Sequence, residues 1–137
     1  MTATMGNTKL KLSSNPENIN AVEGLIEELK DEYKICEDAY GNILVAITEA
    51  VNNAIFHGNK CNPDKSVHVS YEYLNNRIAF YIADEGNGFD YYNLPDPTSP
   101  ENLDKPNGRG VFLMKHLADQ IIFSDQGRLV EMHFRIS

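Results

Sequence analysis

The segment Glu49-Ala50-Val51-Asn52-Asn53 places a carboxylate and a carboxamide four residues apart. Apolar residues around it recur at helical spacing, so Glu49 and Asn53 stack on one face of a helix, one turn apart. An amide oxygen can ligate Mg²⁺, which takes few protein ligands. A carboxylate one turn away can accept a proton from an attacking hydroxyl. Taken alone, such a pair is more often a polar helix face turned to solvent, so its meaning depends on the rest of the chain.

The helix that carries this pair is predicted to run from about Tyr40 or Gly41 to His57, with Gly58 as a left-handed cap. It is apolar nearly all round except at the two polar positions, which is typical of a buried helix. A carboxylate on such a helix is either paired or functional. His57 lies one turn beyond Asn53, where it either interacts with the helix dipole, which we favour, or approaches a phosphate.

Alternation and turn residues predict the other elements. Strands are expected at residues 9–13, 67–74, 78–83, 120–124 and 129–136, and further helices near residues 16–33 and 111–119. Asn75-Asn76 and Asp125-Gln126-Gly127 supply hairpin turns. The order β-α-α-β-β-loop-α-β-β predicts an α+β fold, a two-layer sandwich with a mixed, mostly antiparallel sheet and helices on one face.

Two glycines follow the strand at residues 78–83, in Asp84-Glu85-Gly86-Asn87-Gly88. Gly86 and Gly88 let the backbone approach a flat ligand with no Cβ in the way. An aspartate at a strand end can accept a hydrogen bond from an exocyclic amine such as that of adenine. The alternative is a plain turn that ends a strand.

A second glycine pair, Gly108 and Gly110, opens the third helix after a long segment. That segment, residues 91–107, holds four of the six prolines and has no helical or strand period, which favours a lid or binding loop. Amides at a helix start attract anions, although the pair is equally suited to a flexible helix entry. Neither pair matches a P-loop or a dinucleotide fingerprint.

In this order, E-x-x-x-N, D-x-G-x-G and a lid closed by G-x-G resemble the GHKL (Bergerat-fold) ATPase family, over residues 9–136. The resemblance implies ATP and Mg²⁺ as cofactors, with Glu49 as general base, Asn53 as Mg²⁺ ligand and Asp84 as the adenine-binding group. The glycines that it assigns to the pocket and the phosphates are Gly86, Gly88, Gly108 and Gly110.

The basic residue of the lid and the support of the adenine site are less defined. Lys105 falls where this family can place a basic residue near the terminal phosphate, and Arg109 is a competing candidate. Many relatives carry a threonine soon after the last hairpin turn, which helps to hold the adenine-binding aspartate through water. This chain has none there, so either Ser124 substitutes or the contact is missing.

Within the family, TEAVNNAIFHGNK and GRGVFLMKHLAD look like the anti-sigma-factor serine kinases of bacterial partner switching. This resemblance implies phosphoryl transfer to a serine or threonine of an anti-sigma-factor antagonist, contact with a sigma factor, and a homodimer. The alternative is an ATP-dependent module that sequesters a sigma factor or regulator with little kinase activity. A histidine-kinase catalytic domain ranks lower, because no dimerisation helices with a phosphoacceptor histidine accompany it.

Length and charge limit the remaining classes. The 137 residues suit a single domain, residues 1–137, and the net charge of −8 argues against direct nucleic-acid binding. The first residues, MTATMGNTKLKL, lack the long apolar core of a signal peptide, and no apolar run approaches a membrane span. Two cysteines without metal or redox spacing indicate reduced thiols. We therefore expect a cytoplasmic protein without membrane contact.

Overall fold

A computed structural model describes residues 8–86 and 113–137 of the chain, and its strands and helices follow the predicted order. Helical residues 113–117 precede the last hairpin, so this helix ends two residues before the predicted 119. In the described ranges, no helix has the length and apolar character needed to cross a membrane. The other elements are β1 (Thr8–Ser13), α1 (Ile19–Tyr33), α2 (Glu37–Asn53), β2 (Ser66–Leu74), β3 (Arg77–Ala83), β4 (Gln120–Ser124) and β5 (Leu129–Arg135).

The described strands form one sheet in the order β1-β2-β3-β5-β4, and each of its four pairings is antiparallel. The β2–β3 hairpin turns at Asn75 and Asn76, whose φ values of 54° and 62° fit a two-residue turn of the type that matches strand twist. The predicted α+β two-layer sandwich is thereby confirmed. Its sheet is antiparallel throughout the described pairings, where the sequence allowed a mixed one.

The hydrophobic core lies between one face of the sheet and the two long helices. Val69, Phe80 and Met132 on three adjacent strands are fully buried, as are Ile43 and Ile47 on α2. Complete burial of a side chain of this size contributes about 1.5–3 kcal/mol. Packing of the apolar side of α2 against this core leaves its other side to carry polar residues.

The predicted start of α2 near Tyr40 was wrong, because the helix begins at Glu37. Cys36 caps it in an extended conformation without a side-chain hydrogen bond, and the amide of Tyr40 donates to the Cys36 carbonyl at 2.9 Å. Glu37 and Asp38 stabilise the first turn through the helix dipole. A cap without a serine, threonine, asparagine or aspartate leaves no strong start signal in the sequence.

The predicted end of α2 was also wrong. The α-helix stops at Asn53 and the chain continues as a π-helical turn over Ala54–Gly58, closed by the Asn59 amide, which donates to the Ala54 carbonyl at 2.8 Å. Gly58 is not left-handed; Lys60 and Cys61 take that conformation instead, with φ of 53° and 57°. Such π-helical turns are rare and frequently mark functional sites.

Candidate functional site

Asp84 is the first residue after β3, and its side chain is half-buried. Its amide donates to the carbonyl of Arg128 at 2.9 Å, which holds the end of β3 against the start of β5. Its Oδ1 accepts a hydrogen bond from the Gly86 amide at 2.8 Å. Oδ2 accepts no hydrogen bond from any described residue.

Partial burial raises the pKa of the Asp84 carboxyl above its ordinary value. The Gly86 amide, Arg128 and Lys65 act in the opposite direction, and Asp125 adds to the rise. Burial dominates because water is partly removed from a charged group. A carboxylate in this position is incompletely solvated and gains from a donor that a ligand brings.

Two glycines allow the π-helical turn after α2 to contact this aspartate. A Cβ on Gly58 would lie 2.4 Å from Asp84 Cγ and 2.5 Å from its Oδ2. A Cβ on Gly86 would lie 1.8 Å from the Gly58 carbonyl oxygen. A side chain at Gly86 is therefore excluded by the Gly58 backbone, and the expected approach of Gly86 to a flat ligand stays a prediction. Gly58 was expected to be a left-handed helix cap, but in the structure it packs against the Asp84 carboxylate.

Asn59 is a polar hub that the sequence reasoning missed. It is 1% exposed, and its Nδ2 donates to Ser14 Oγ at 2.9 Å and to the Ser66 carbonyl at 3.0 Å. Its Oδ1 accepts from the Glu85 amide at 2.7 Å. The side-chain amide thus uses both of its N–H donors and its carbonyl oxygen. These bonds join the turn after α2 to the end of β1, the start of β2 and the end of β3. In the sequence, Asn59 looked like the first residue of a polar loop.

Arg128 is a second residue that the sequence did not single out. It lies just after the last hairpin turn, where the expected threonine is absent. Its Nε donates to the Gly86 carbonyl at 2.8 Å, and its Nη1 contacts the Asp125 carboxylate at 3.2 Å. Ser124 is exposed at the end of β4 and makes no hydrogen bond to Asp84 among the described residues. The expected contact runs through water, so a Ser124 substitute and a missing contact both stay predictions, while Arg128 supports the turn directly.

Glu49 and Asn53 lie on the last turns of α2, and both are half-buried. Within the described ranges, neither side chain makes a hydrogen bond or ion pair with another residue. The helix that carries them leads directly into Gly58, and Gly58 contacts Asp84. The structure therefore connects the predicted acid–amide pair to the predicted adenine site through one π-helical turn.

His57 is exposed in this π-helical turn. Partial desolvation by its neighbours lowers its pKa, which makes it a neutral side chain at pH 7. A stabilising interaction with the helix dipole needs the charged form and raises the pKa. The interaction with the helix dipole that the sequence favoured and the approach to a phosphate both stay predictions.

The remaining predicted site residues lie outside the described ranges. These are the lid at residues 91–107 and Gly88, Lys105, Gly108, Arg109 and Gly110. Among residues 8–86 and 113–137, no group of three histidine, cysteine, aspartate or glutamate side chains is placed to hold a metal ion. The amide oxygen of Asn53 fits a metal that brings most of its ligands with a bound phosphate.

Comparison with known proteins identifies the family of the chain. Residues 12–134 match the family model described as the histidine kinase-like ATPase domain. The chain is similar to the serine-protein kinase RsbW of Staphylococcus epidermidis, with 26% identity over 96% of this chain and 88% of that protein. It is also similar to the serine-protein kinase RsbW of Staphylococcus aureus, strain Newman, with 29% identity over 81% of this chain and 72% of that protein.

A solved structure shares the fold. The histidine kinase domain of the blue-light activated histidine kinase of Erythrobacter litoralis superposes with a TM-score of 0.53. The match covers 99% of this chain and 70% of that one, at 13% sequence identity. At this identity the likeness concerns the architecture, and it agrees with the antiparallel sheet and helical layer described above.

Proposed function

The chain belongs to the histidine kinase-like ATPase domain family, and we propose that it is an ATP-dependent serine/threonine-protein kinase of the anti-sigma-factor type. One observation carries the proposal: Asp84 is half-buried, its Oδ2 has no hydrogen-bond partner among the described residues, and it contacts Gly58 in the turn that follows the helix of Glu49 and Asn53. Relatives named serine-protein kinases align over most of the chain and support the reaction class.

Adenine recognition is proposed for Asp84. Its Oδ2 accepts the exocyclic amine, while the Gly86 amide keeps Oδ1 in place at 2.8 Å. Gly58 and Gly86 leave no Cβ beside the carboxylate, so a flat base can approach the backbone. A hydrogen bond to a charged acceptor contributes about 1.5–3 kcal/mol, which is enough to select an amine-bearing purine.

Phosphoryl transfer is proposed to use the acid–amide pair on α2. Asn53 Oδ1 would hold Mg²⁺, which supplies charge neutralisation at the phosphates when it is bound. Glu49 accepts the proton of the attacking serine or threonine hydroxyl as the new O–P bond forms and the bond to ADP breaks. Neither side chain has a competing partner among the described residues, which supports these roles.

The other assignments concern residues outside the described ranges. We propose that Gly88, Gly108 and Gly110 shape the pocket and hold phosphates, and that Lys105 or Arg109 neutralises the terminal phosphate under the lid at residues 91–107. The proposed partners are an anti-sigma-factor antagonist, as phosphoacceptor, and a sigma factor. A homodimer in the cytoplasm is the proposed assembly, with Mg²⁺ and ATP as cofactors.

The test separates binding from transfer. Isothermal titration with ADP and a non-hydrolysable ATP analogue, with and without Mg²⁺, measures nucleotide binding. Mass spectrometry of antagonist proteins incubated with Mg-ATP measures serine phosphorylation. We expect Glu49→Ala to bind nucleotide like the wild type and to lose about 10²–10⁴-fold in transfer rate. The matched control is Glu23→Ala, on an exposed position of α1.

Each outcome has a definite meaning. Normal phosphorylation by Glu49→Ala would remove the general-base assignment. Nucleotide binding by the wild type without transfer to any antagonist would favour the sequestering module instead of the kinase. Absence of binding at millimolar nucleotide would refute the nucleotide site as a whole.

A further inference from the structure

The turn formed by Asp84, Glu85 and Gly86, here called the adenine turn, has its polar backbone groups bound from two sides. The Asp84 amide donates to the Arg128 carbonyl at 2.9 Å, and the Gly86 carbonyl accepts from Arg128 Nε at 2.8 Å. The Glu85 amide donates to Asn59 Oδ1 at 2.7 Å. The turn is therefore fixed before any ligand arrives, and two side chains distant in sequence do the fixing.

Arg128 is itself held by contacts with Asp125 in the β4–β5 turn. Its Nη1 contacts the carbonyl and the carboxylate of Asp125, each at 3.2 Å, and its amide donates to the Asp125 carbonyl at 3.1 Å. The guanidinium cannot swing away from Gly86 without losing these contacts. Arg128 thus transmits the position of the β4–β5 turn to the adenine turn.

Asn59 is anchored equally firmly. It is 1% exposed, and its Nδ2 donates to Ser14 Oγ and to the Ser66 carbonyl. Ser14 Oγ in turn donates to the Lys65 carbonyl at 2.7 Å. A buried amide with each of these bonds made has one stable orientation. The Glu85 amide is therefore held by a rigid acceptor.

We propose that Asn59 and Arg128 are positioning residues for adenine recognition, which hold the adenine turn so that Asp84 Oδ2 faces the exocyclic amine. This inference rests on the proposed function, because it concerns the nucleotide site. Neither residue touches the base; both act through the backbone of the turn. Pre-organisation of this kind lowers the ordering cost of binding and sharpens selectivity.

The readout is amine discrimination, because a purely structural role would not change it. Purine riboside triphosphate lacks the amine of ATP, so the ratio of its Kd to the Kd of ATP measures recognition by Asp84. The ratio is obtained by isothermal titration of the full chain in Mg²⁺. A hydrogen bond to a charged group predicts a ratio of about tenfold or more for the wild type.

Two Arg128 variants separate the hydrogen bond from the charge. In Arg128→Gln, the side-chain amide nitrogen lies the same number of bonds from Cα as Nε and still donates to the Gly86 carbonyl. Arg128→Met has a similar length without a donor, and both variants lose the same charge. We expect the Gln variant to keep a ratio within about twofold of wild type and the Met variant to fall to about threefold or less. Arg77→Met, at the opposite end of β3, controls for loss of an arginine.

Asn59→Ala should lower the ratio as Arg128→Met does. Thermal unfolding shows whether each variant is folded. If the buried Asn59→Ala variant does not fold, the two Arg128 variants alone test the positioning role. The positioning role would be overturned if Arg128→Gln and Arg128→Met had equal Kd ratios, or if Arg128→Met kept the wild-type ratio. In either case, ATP binding by the wild type would still uphold the proposed function. Absence of ATP binding by the wild type would overturn both.

Discussion

Gly58→Ala is the sharpest test of how the site is built. Gly58 does not adopt a left-handed conformation, since Gly127 is the glycine with positive φ among the described residues. Alanine therefore fits the backbone, and its only new feature is one methyl group. That Cβ would lie 2.4 Å from Asp84 Cγ, 2.5 Å from Oδ2 and 2.7 Å from Oδ1. The three atoms nearest to the added methyl group thus all belong to the aspartate.

The structure sets the size of the effect. An ordinary contact is at least 3.4 Å, so the carboxylate must retreat by about 1 Å or the Gly58 backbone must move by that distance. Retreat strains the 2.8 Å hydrogen bond from the Gly86 amide and displaces Oδ2 from the amine of the base. Loss of a hydrogen bond to a charged acceptor costs about 1.5–3 kcal/mol. Because ADP and ATP carry the same base, affinity for either nucleotide should therefore fall by about 10- to 100-fold.

The assay is isothermal titration with ADP, with Gly41→Ala as the matched control. Gly41 lies on the exposed face of α2, and a Cβ there meets nothing within 4 Å. We expect this control to keep its nucleotide affinity and to gain about 0.5–1 kcal/mol in unfolding free energy. Wild-type ADP affinity in Gly58→Ala would refute the contact between the end of α2 and the adenine site.

Two further predictions concern the metal and the pH dependence. In isothermal titration, Asn53→Ala should weaken the binding of Mg-ATP and leave the binding of ADP without Mg²⁺ unchanged. The control Asn42→Ala, on the exposed side of α2, should change neither affinity. An equal dependence of nucleotide binding on Mg²⁺ in the two variants would exclude Asn53 as the metal ligand. Burial raises the pKa of Asp84 above its ordinary value of 3.8, so the folded state binds its proton more tightly than the unfolded chain. The contribution of this proton to the free energy of unfolding is fully present below pH 3.8, and it is lost as the pH rises through the raised pKa of the folded state. Asp84→Asn should therefore unfold in urea at neutral pH with a free energy at least as large as that of the wild type, and yet bind ATP more weakly. A clear loss of stability at neutral pH would contradict a raised pKa of Asp84.

Local patterns were sufficient for the order of the elements and for the position of the polar groups. Alternation identified the β2–β3 hairpin, and Asn75-Asn76 identified its turn, because two-residue turns need residues that tolerate positive φ. The helix predicted near residues 16–33 is entered through a 3-10 turn at Pro16–Asn18, and the Asn15 side chain caps this turn by accepting from the Glu17 amide at 3.0 Å. Such features depend on residues within a few positions of each other.

The errors occurred where local signals were weak. The start of α2 lacks a side-chain cap, so the sequence placed it near Tyr40 instead of Glu37. The π-helical turn at Ala54–Gly58 has no sequence signature of its own, and Gly58 resembled an ordinary helix cap. Its real constraint is the Asp84 carboxylate, 26 positions further along the chain.

The sequence by itself determined which chemical groups the protein has and on which elements they lie: a carboxylate and an amide one turn apart on a helix, and an aspartate at a strand end. Only the tertiary structure decided which residues support them. The Asn59–Glu85 and Arg128–Gly86 hydrogen bonds join residues 26 and 42 positions apart. Periodicity describes one element at a time, whereas these pairs meet because β5 lies beside β3 and the end of α2 turns toward Asp84.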